Sequence, residues 1–352
     1  MFPGNENGEV ELQSVLPLLQ AIADSAGDLR KRLNSREELA GACQALSGLE
    51  RTALSTAQTD PFTWCCYTAK SGRHATFRSV PVNPGPLLRE SLYGVFPAVL
   101  LTSATLASGN SFSYSDSLLG VPDEADRRVF ESPFDYPAQS VLALPDSSLH
   151  QDDHPALAGE AWRIAREAGL ILGGRTMALF TSYRNMELCY AAALETPAPG
   201  LELLVQGRMS RSAILEAFRG DPRGIILGTA SFWEGIDLPG ELLQALVIDR
   251  IPFPSPGHPL TRARMKLSED MGLSSFTSVM LPEAATRLKQ GAGRLIRSSG
   301  DTGAVFILDR RIRTAGYAGL LLRSMPPFRR TTFVDAMEFL REQAAGSGGI
   351  KG

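Results

Sequence analysis

Cysteines and long apolar stretches are both scarce in this sequence of 352 residues. The four cysteines show no paired spacing, which excludes a disulfide scaffold and indicates a reducing cytosol. No stretch of about 18 apolar residues occurs, so no membrane span is expected. The first residues, M-F-P-G-N-E-N, lack the basic start and the apolar stretch of a signal peptide. We therefore expect a cytoplasmic protein without a membrane partner.

A large excess of charge of one sign is also absent. The formal net charge is −3, which by itself does not indicate a nucleic-acid partner. The charges are unevenly distributed, because residues 281–330 contain ten Lys and Arg residues against three acids, Glu283, Asp301 and Asp309. A local positive field of this kind suits the phosphates of a nucleotide or of DNA, although an ordinary solvated basic face would have the same composition.

Hydrophobic periodicity predicts an α/β protein. Residues 8–58 repeat leucines at helical spacing, and residues 62–80 alternate around Ser71-Gly72, which predicts two strands. From about residue 138, strands and helices alternate. The predicted strands are 98–102, 139–143, 176–181, 202–205, 224–228, 244–249 and 303–308, and the later helices are 154–170, 184–194, 210–218, 258–271, 281–296 and 333–343. Continuous apolar strands such as 303–308 favour a parallel sheet covered on both faces, in three layers.

Four polar segments follow predicted strands or belong to predicted helices. Residues 98–106 read A-V-L-L-T-S-A-T-L and residues 177–183 read M-A-L-F-T-S-Y, each a strand that ends in hydroxyls. Residues 226–240 read I-L-G-T-A-S-F-W-E-G-I-D-L-P-G, a strand that runs into a polar turn. Residues 290–297 read Q-G-A-G-R-L-I-R. Two arginines three apart on a helix share one face, and a guanidinium is a usual partner for a phosphate whose charge spreads in a transition state.

In this order the four segments resemble motifs III, IV, V and VI of superfamily 2 helicases. The stretches T-S-A-T-L, F-W-E-G-I-D-L-P-G and Q-G-A-G-R-L-I-R are similar to those of the DinG/XPD-like branch, and the resemblance covers roughly residues 60–330. It implies a RecA-like parallel-sheet lobe and an ATP-dependent DNA helicase, an ATP hydrolase with 5′→3′ polarity and a role in DNA repair.

Two parts of such a motor are missing from the sequence. No glycine-rich segment is followed by G-K-[ST], the loop that cradles phosphates, and no acidic motif for Mg²⁺ precedes the T-S-A-T segment. Residues 123–126 read D-E-A-D but follow a turn at 120–122, so we interpret them as an exposed acidic loop or helix start. Cys43, Cys65, Cys66 and Cys189 do not show the ligand spacing of the iron–sulfur cluster that some family members bind. ATP and Mg²⁺ are therefore expected to be held mainly by a first lobe, and no iron–sulfur cluster is expected in this chain.

The resemblance therefore implies the C-terminal half of a helicase, with the N-terminal half as a partner. Residues 1–60 are expected to be a helical remnant of an accessory, Arch-like domain. Residues 61–135 would be the last strands of the first motor lobe with motif III, and residues 136–343 the RecA-like C-terminal lobe. Residues 344–352 are expected to be a disordered tail.

Motif VI carries the catalytic residues that the resemblance implies. Arg294 and Arg297 would be arginine fingers, which contribute roughly 10³–10⁵ in rate in comparable NTPases. Gln290 would orient the attacking water or contact the γ-phosphate, and Gly293 would let another group pack close to the helix that contacts ATP. A structural network of these arginines with acids is the alternative.

Motifs V and III are expected to contact ATP and to couple it to DNA. Asp237 would face the ribose or the motif VI arginines, with Glu234 and Gly235 beside it; a helix cap or a turn residue is the alternative for Asp237. Ser103 and Thr105 would link the nucleotide state to the grip on DNA, although hydroxyls at a strand end are also common caps.

Single-stranded DNA is the expected partner of the remaining polar strand ends, because ligands of open α/β sheets bind there. The predicted contacts are Thr181, Ser182, Tyr183, Thr229, Ser231, Trp233 and Arg208. Trp233 stacks on a base or packs between lobes, and Tyr183 is similarly ambiguous. Arg208 contacts the DNA backbone or is an ordinary solvated residue.

The stretch Arg250–Pro259 is rich in proline and glycine and predicts a stiff loop. The resemblance implies that this loop shapes the DNA-side surface. His258 is interpreted as a helix-start residue, because no metal site and no Ser-His-Asp grouping is evident.

Two further functions compete with a motor portion. The chain would alternatively be a stand-alone module that binds single strands without catalysis. A nuclease is less well supported, because the sequence has no D-x-E cluster of the exonuclease type.

Overall fold

The computed structural model describes residues 12–33, 40–57, 64–71, 74–108, 111–144, 152–229, 232 and 242–347. The helices of this part of the chain are α1 Leu12–Leu33, α2 Ala40–Ala57, α3 Gly85–Leu88, α4 Ser113–Leu119, α5 Tyr136–Gln139, α6 His154–Leu172, α7 Tyr183–Glu195, α8 Arg211–Gly220, α9 Pro259–Asp270, α10 Leu281–Ala292, α11 Arg311–Thr314, α12 Ala318–Ser324 and α13 Phe333–Ser347. Its strands are β1 Trp64–Ser71, β2 His74–Pro81, β3 Ser140–Ala143, β4 Thr176–Leu179, β5 Glu202–Val205, β6 Gly224–Gly228, β7 Ala245–Ile248, β8 Gly303–Ile307 and β9 Arg329–Thr331. There are two π-helical turns. Arg89–Tyr93 directly follows α3 in the sequence, and Phe276–Met280 directly precedes α10.

The chain divides into two compact units, each assembled from separated stretches of sequence. The first contains the described residues of Met1–Val99, Asp116–Asp123 and Pro254–Val279. The second contains those of Leu100–Ser115, Glu124–Phe253 and Met280–Gly352. The predicted domains are contiguous in sequence, so their boundaries at residues 60 and 135 do not coincide with those of the units.

The first unit contains a pair of helices and a β-hairpin. Helices α1 and α2 pack together, and Arg30 Nε lies 3.0 Å from Glu50 Oε2 between them. Strands β1 and β2 pair antiparallel, with Ser71 opposite His74. The prediction of helices followed by two strands around Ser71-Gly72 is therefore confirmed.

The second unit is built on a seven-stranded sheet in the order β5-β6-β4-β7-β8-β3-β9. All six strand pairs are parallel. The predicted α/β class with a parallel sheet is confirmed, and the six later strand predictions each correspond to an observed strand. Strand β9 was not predicted, because it has three residues, two of them exposed arginines at the sheet edge.

Both faces of this sheet are buried, which explains the near-continuous apolar strands. Met177 and Leu179 of β4 belong to one core, whereas Ala178 and Phe180 belong to the other. Apolar residues of α8, α10, α11 and α12 complete the first core, and those of α6, α7 and α13 complete the second. The lobe therefore has the expected three layers, and the sheet is a rigid base for the polar groups at its edge.

The predicted strand over residues 98–102 is wrong. Residues 98–103 pair with no strand in the described part of the chain. Their apolar side chains are exposed, with Leu100 at 87% and Val95, just upstream, at 65%. A strand needs a neighbour to satisfy its backbone N–H and C=O groups, and apolar residues alone do not supply one.

Residues 123 and 124 form a turn, and residues 125 and 126 belong to no helix or strand; Asp123, Glu124 and Asp126 are exposed. Asp126 Oδ2 accepts a hydrogen bond from Arg128 Nε at 3.0 Å. The interpretation of this segment as an exposed acidic loop is confirmed. Among the described residues, no helix is long and apolar enough to cross a membrane, and no group of three His, Cys, Asp or Glu side chains could hold a metal ion.

Candidate functional site

Polar residues follow five adjacent strands of the parallel sheet and define its carboxyl edge. In the order of the strands β5, β6, β4, β7 and β8 they are Gln206, Thr229, Thr181, Asp249 and Asp309. The prediction that Thr181 and Thr229 lie along one edge of a single parallel sheet is confirmed. Ser231, the third residue of that prediction, lies outside the described residues.

Asp249 holds the end of β4 in place. Its carboxylate accepts hydrogen bonds from Thr181 N at 3.0 Å and from Asn185 Nδ2 at 2.8 Å. Asn185 Oδ1 in turn lies 2.7 Å from His154 Nδ1. Burial raises the pKa of Asp249 to about 6, although both hydrogen bonds and the nearby Arg250 act to lower it. Asp249 was not among the predicted site residues, although its position directly after an apolar strand is a pattern that could have identified it.

Gln206 joins the ends of three neighbouring strands. Its Oε1 accepts hydrogen bonds from Thr229 N at 2.7 Å and from Thr229 Oγ1 at 3.0 Å. Its Nε2 donates to Tyr183 Oη at 2.7 Å. Thr229 is buried, whereas the Tyr183 side chain is 55% exposed. Gln206 was also missed, and it too comes directly after a strand, in L-L-V-Q-G.

Ser182 and Arg208 are already engaged within the lobe. Ser182 Oγ caps α7 by accepting from Asn185 N at 3.2 Å. Arg208 donates from Nη1 and Nη2 to the two carboxylate oxygens of Glu187, at 2.8 and 3.0 Å, and lies 3.8 Å from the centre of the Tyr190 ring. A phosphate that binds Arg208 must therefore share it with Glu187.

The arginine segment, residues 290–297, differs from the prediction. Helix α10 ends at Ala292 rather than at residue 296, so Arg294 and Arg297 do not share a helical face. Arg294 N and Leu295 N donate to carbonyls three residues earlier, at 3.3 and 3.2 Å, which tightens the chain into a turn. Glycines at 291 and 293 weaken the helix here. A Cβ at Gly293 would lie 2.8 Å from the Lys289 carbonyl oxygen of its own helix, so the absent side chain leaves room for that turn.

A buried carboxylate fixes the second half of the arginine segment. Asp301 Oδ2 accepts from Arg297 N at 2.7 Å and from Ser298 N at 2.8 Å, and Asp301 Oδ1 accepts from Ser298 Oγ at 2.8 Å. Arg294 Nε donates to Gln290 O at 3.2 Å. Gln290, Gly293, Arg294 and Arg297 are all partly exposed. The segment thus has a defined backbone and side chains that remain at the surface.

The hydroxyl turn of motif III is anchored close to the arginine segment. Lys289 Nζ donates to Ala107 O at 3.1 Å, and burial lowers the pKa of Lys289. Two residues before Ala107, Thr105 N donates to Ser103 Oγ at 3.2 Å, and the two hydroxyls lie 3.1 Å apart. Ser103 Oγ therefore caps the turn in which it lies. Such a cap is the alternative role predicted for this hydroxyl from the sequence.

The loop that follows β7 is held by a second buried carboxylate. Asp309 Oδ2 accepts from Ile251 N at 3.0 Å and from Arg311 Nη2 at 2.7 Å. The Arg311 guanidinium lies 5.6 Å from the centre of the Phe253 ring. His258 directly precedes α9, as predicted, without a side-chain capping bond.

Most of the motif V turn lies outside the described residues, including Ser231, Trp233, Glu234, Gly235 and Asp237. The described residues explain why a glycine stands at position 228, just before this turn. A Cβ at Gly228 would lie 2.8 Å from Cγ of the buried Phe232, so a glycine is needed there for that ring to pack.

Comparison with known proteins agrees with the sequence motifs. A family model described as "Helicase C-terminal domain" matches residues 168–328. The "ATP-dependent DNA helicase YoaA" of Escherichia coli strain K12 is 31% identical over 326 residues, which cover 91% of this chain and 50% of that protein. The "ATP-dependent helicase DinG" of Mycobacterium tuberculosis strain H37Rv is 36% identical over 265 residues, covering 73% of this chain and 39% of that protein.

A third relative carries a different name. The "3'-5' exonuclease DinG" of Bacillus subtilis strain 168 is 35% identical over 285 residues, which cover 79% of this chain and 30% of that protein. The chain thus spans about half or less of the length of these curated relatives.

Two solved structures share the fold. The structure titled "XPD_APO" aligns with a TM-score of 0.55 and 17% identity, covering 89% of this chain and 62% of that one. The structure titled "XPD_Helicase" aligns with a TM-score of 0.50 and 14% identity, covering 84% and 56%. The motifs, the parallel sheet and these similarities agree: the chain belongs to the DinG/XPD-like superfamily 2 helicases and contains their C-terminal region.

Proposed function

We propose that this chain supplies the C-terminal motor portion of an ATP-dependent DNA helicase with 5′→3′ polarity. The arginine segment acts on ATP that a first lobe holds, and the carboxyl edge of the sheet contacts a single DNA strand. The observation that carries the proposal is the anchoring of the arginine segment by Asp301 on the same rigid lobe as the carboxyl edge. A rigid base is required because catalytic groups act only when they are held in a narrow range of positions.

The chain's groups fit the phosphate side of ATP. Arg294 and Arg297 are cationic donors at the surface of the lobe. Asp301 accepts from the Arg297 backbone N–H, and the Gln290 carbonyl accepts from the Arg294 side chain. When bound, ATP supplies the phosphoryl group. The guanidiniums then stabilise the charge that develops on it, and Gln290 orients water beside it. Motif V, with Glu234, Gly235 and Asp237, completes the contact in this proposal.

The same groups do not fit Mg²⁺. The sequence has neither G-K-[ST] nor an acidic motif before the T-S-A-T segment, and in the described part of the chain no cluster of carboxylates could bind a metal ion. Mg²⁺ and most ATP contacts therefore come from the first lobe, the N-terminal half of the motor.

The test is DNA-stimulated ATP hydrolysis by this chain combined with the N-terminal half. Arg294→Ala and Arg297→Ala should each lower kcat by about 10³-fold or more, with a smaller change in KM, because the fingers act in the transition state. Arg→Lys should restore little, since an ammonium lacks the planar fork. Arg341→Ala is the matched control, because Arg341 lies on α13, which covers the other face of the sheet. Near-normal kcat in both alanine variants would show that Arg294 and Arg297 are not arginine fingers.

A stand-alone module that binds single strands is the second candidate. The observation in its favour is that the five polar residues of the carboxyl edge all belong to this chain, whereas its sequence has no phosphate-binding loop. A reading frame just upstream that encodes G-K-T and D-E-A-H would favour the motor. Binding of single-stranded DNA by this chain that is unaffected by adding such a first lobe and ATP would favour the module.

A further inference from the structure

The Thr229 backbone N–H determines the direction of the hydrogen bonds that Gln206 makes with Thr229 and Tyr183. Thr229 N–H can only donate, so the Gln206 atom 2.7 Å away is the amide oxygen. The amide nitrogen then faces Tyr183 Oη at 2.7 Å. An amide nitrogen donates and does not accept. The Tyr183 oxygen is therefore the acceptor, and its own proton is not used in this bond.

The surroundings of Tyr183 favour an anionic acceptor for that proton. Tyr183 is the first residue of α7, is 55% exposed and is followed by the exposed Arg184. The first turn of α7 carries no acidic residue. A hydroxyl that already accepts one hydrogen bond is also polarised towards donating a stronger one.

We propose that Tyr183 donates its hydroxyl proton to a phosphate oxygen of a single strand, and that Gln206 is the positioning residue that turns the proton outward. This inference rests on the proposed function, in which the carboxyl edge contacts DNA. It replaces base stacking as the role of Tyr183. It also explains why an amide, with an acceptor and a donor on one group, follows β5: the acceptor holds Thr229 and the donor orients Tyr183.

The first test separates the hydroxyl from the ring. Binding of the full chain to a fluorescein-labelled oligothymidylate of about 20 nucleotides is measured by fluorescence anisotropy. Tyr183→Phe should weaken binding about tenfold, the effect of losing one hydrogen bond to a charged group. Tyr183→Leu should bind the oligothymidylate no more weakly than Tyr183→Phe does. Tyr93→Phe is the matched control in the first unit and should bind as the unchanged chain does.

An abasic oligonucleotide of equal length tests which part of the strand accepts the proton. The loss caused by Tyr183→Phe should persist on it, because the phosphates remain. A loss confined to the strand with bases would overturn the phosphate contact. Unchanged binding by Tyr183→Phe together with weak binding by Tyr183→Leu would establish stacking instead.

The second test redirects the hydroxyl proton of Tyr183 from the DNA towards residue 206. In Gln206→Glu the carboxylate still accepts from Thr229 N and Oγ1, so the strand end keeps its bonds. Tyr183 must now donate its proton to the carboxylate. Binding should weaken about tenfold, and Gln206→Glu should add little in the Tyr183→Phe background.

Charge repulsion by the new carboxylate predicts a different pattern. It would weaken binding equally in both backgrounds, and salt would reduce the effect. Equal losses in the two backgrounds would therefore overturn the positioning role of Gln206. Absence of any salt-dependent binding by the unchanged chain would overturn the proposed DNA contact and this inference together, whereas normal binding by Tyr183→Phe and Tyr183→Leu would overturn this inference alone.

Discussion

The carboxyl of Asp249 is expected to make the stability of the second unit depend on pH. Asp249 is 2% exposed, and burial raises its pKa from 3.8 to about 6. The folded protein therefore retains a proton that the unfolded chain releases near pH 3.8. Since the folded-state pKa is the higher one, the contribution of Asp249 to stability is greatest below pH 3.8 and is lost as the pH rises through about 6.

The size of this effect follows from the two pKa values. Each pH unit between them changes the free energy of unfolding by about 1.4 kcal/mol, so ionising Asp249 lowers it by about 3 kcal/mol. Asp249→Asn removes the ionisation and keeps an oxygen for Thr181 N–H. The Asn185 amide turns over, so that its oxygen accepts from the new amide and its nitrogen faces His154.

The assay is urea unfolding of the unchanged chain and Asp249→Asn from about pH 3 to about pH 7, the interval that spans both pKa values. The difference in free energy of unfolding should shift in favour of Asp249→Asn by about 3 kcal/mol across this range. Asp335→Asn, an exposed carboxylate on α13, controls for the loss of a charge. A His154→Gln background removes the neighbouring imidazole. Parallel stability curves for the two chains would refute the reasoning, because they would mean that Asp249 titrates alike in the folded and unfolded states.

Three further outcomes are expected. The chain alone should not hydrolyse ATP at a helicase-like rate, because its sequence has no phosphate loop; DNA-stimulated turnover near 1 s⁻¹ or faster, about the lower end of typical enzyme rates, would contradict this. Glu187→Gln should strengthen binding of oligothymidylate if Arg208 contacts phosphate, since Arg208 then loses its competing carboxylate; unchanged anisotropy titrations would exclude Arg208 from the interface. Gly228→Ala should lower the free energy of unfolding by about 1–3 kcal/mol, because the new Cβ meets the buried Phe232 ring at 2.8 Å. Gly220→Ala, where nothing lies within 4 Å, is its control in the same urea titration and should not be destabilised.

The strands of the parallel sheet could be predicted because their cause is local. A strand buried on both faces must be apolar at every position, as residues 303–307 are. The same pattern at residues 98–102 gave a wrong prediction, because it indicates burial and cannot supply a partner strand. Strand β9 is the opposite case. Its polar residues do not predict a strand, yet their backbone pairs with that of β3.

The end of α10 shows a limit of hydrophobic periodicity. Residues 281–296 have helical periodicity, and Leu295 and Ile296 are buried as a helix would have them. The helix nevertheless stops at Ala292, because Asp301 takes the backbone N–H groups of Arg297 and Ser298. Asp301 lies only four and three residues along the chain from Arg297 and Ser298, so this contact is local in sequence, and the spacing of apolar side chains does not record it.

The sequence by itself determined the layered parallel sheet, the motif order that marks the helicase family and the residue types at most strand ends. These follow from side-chain periodicity and from residue spacing, both of which act over a few neighbours. Only the tertiary structure decided which polar groups meet. Strands β5, β6 and β4 are neighbours in the sheet although they are not in chain order, and that order alone brings Gln206 to Thr229 and Tyr183. Burial by helices from distant parts of the chain likewise decides that Asp249 holds its proton to a higher pH than a solvated carboxyl does.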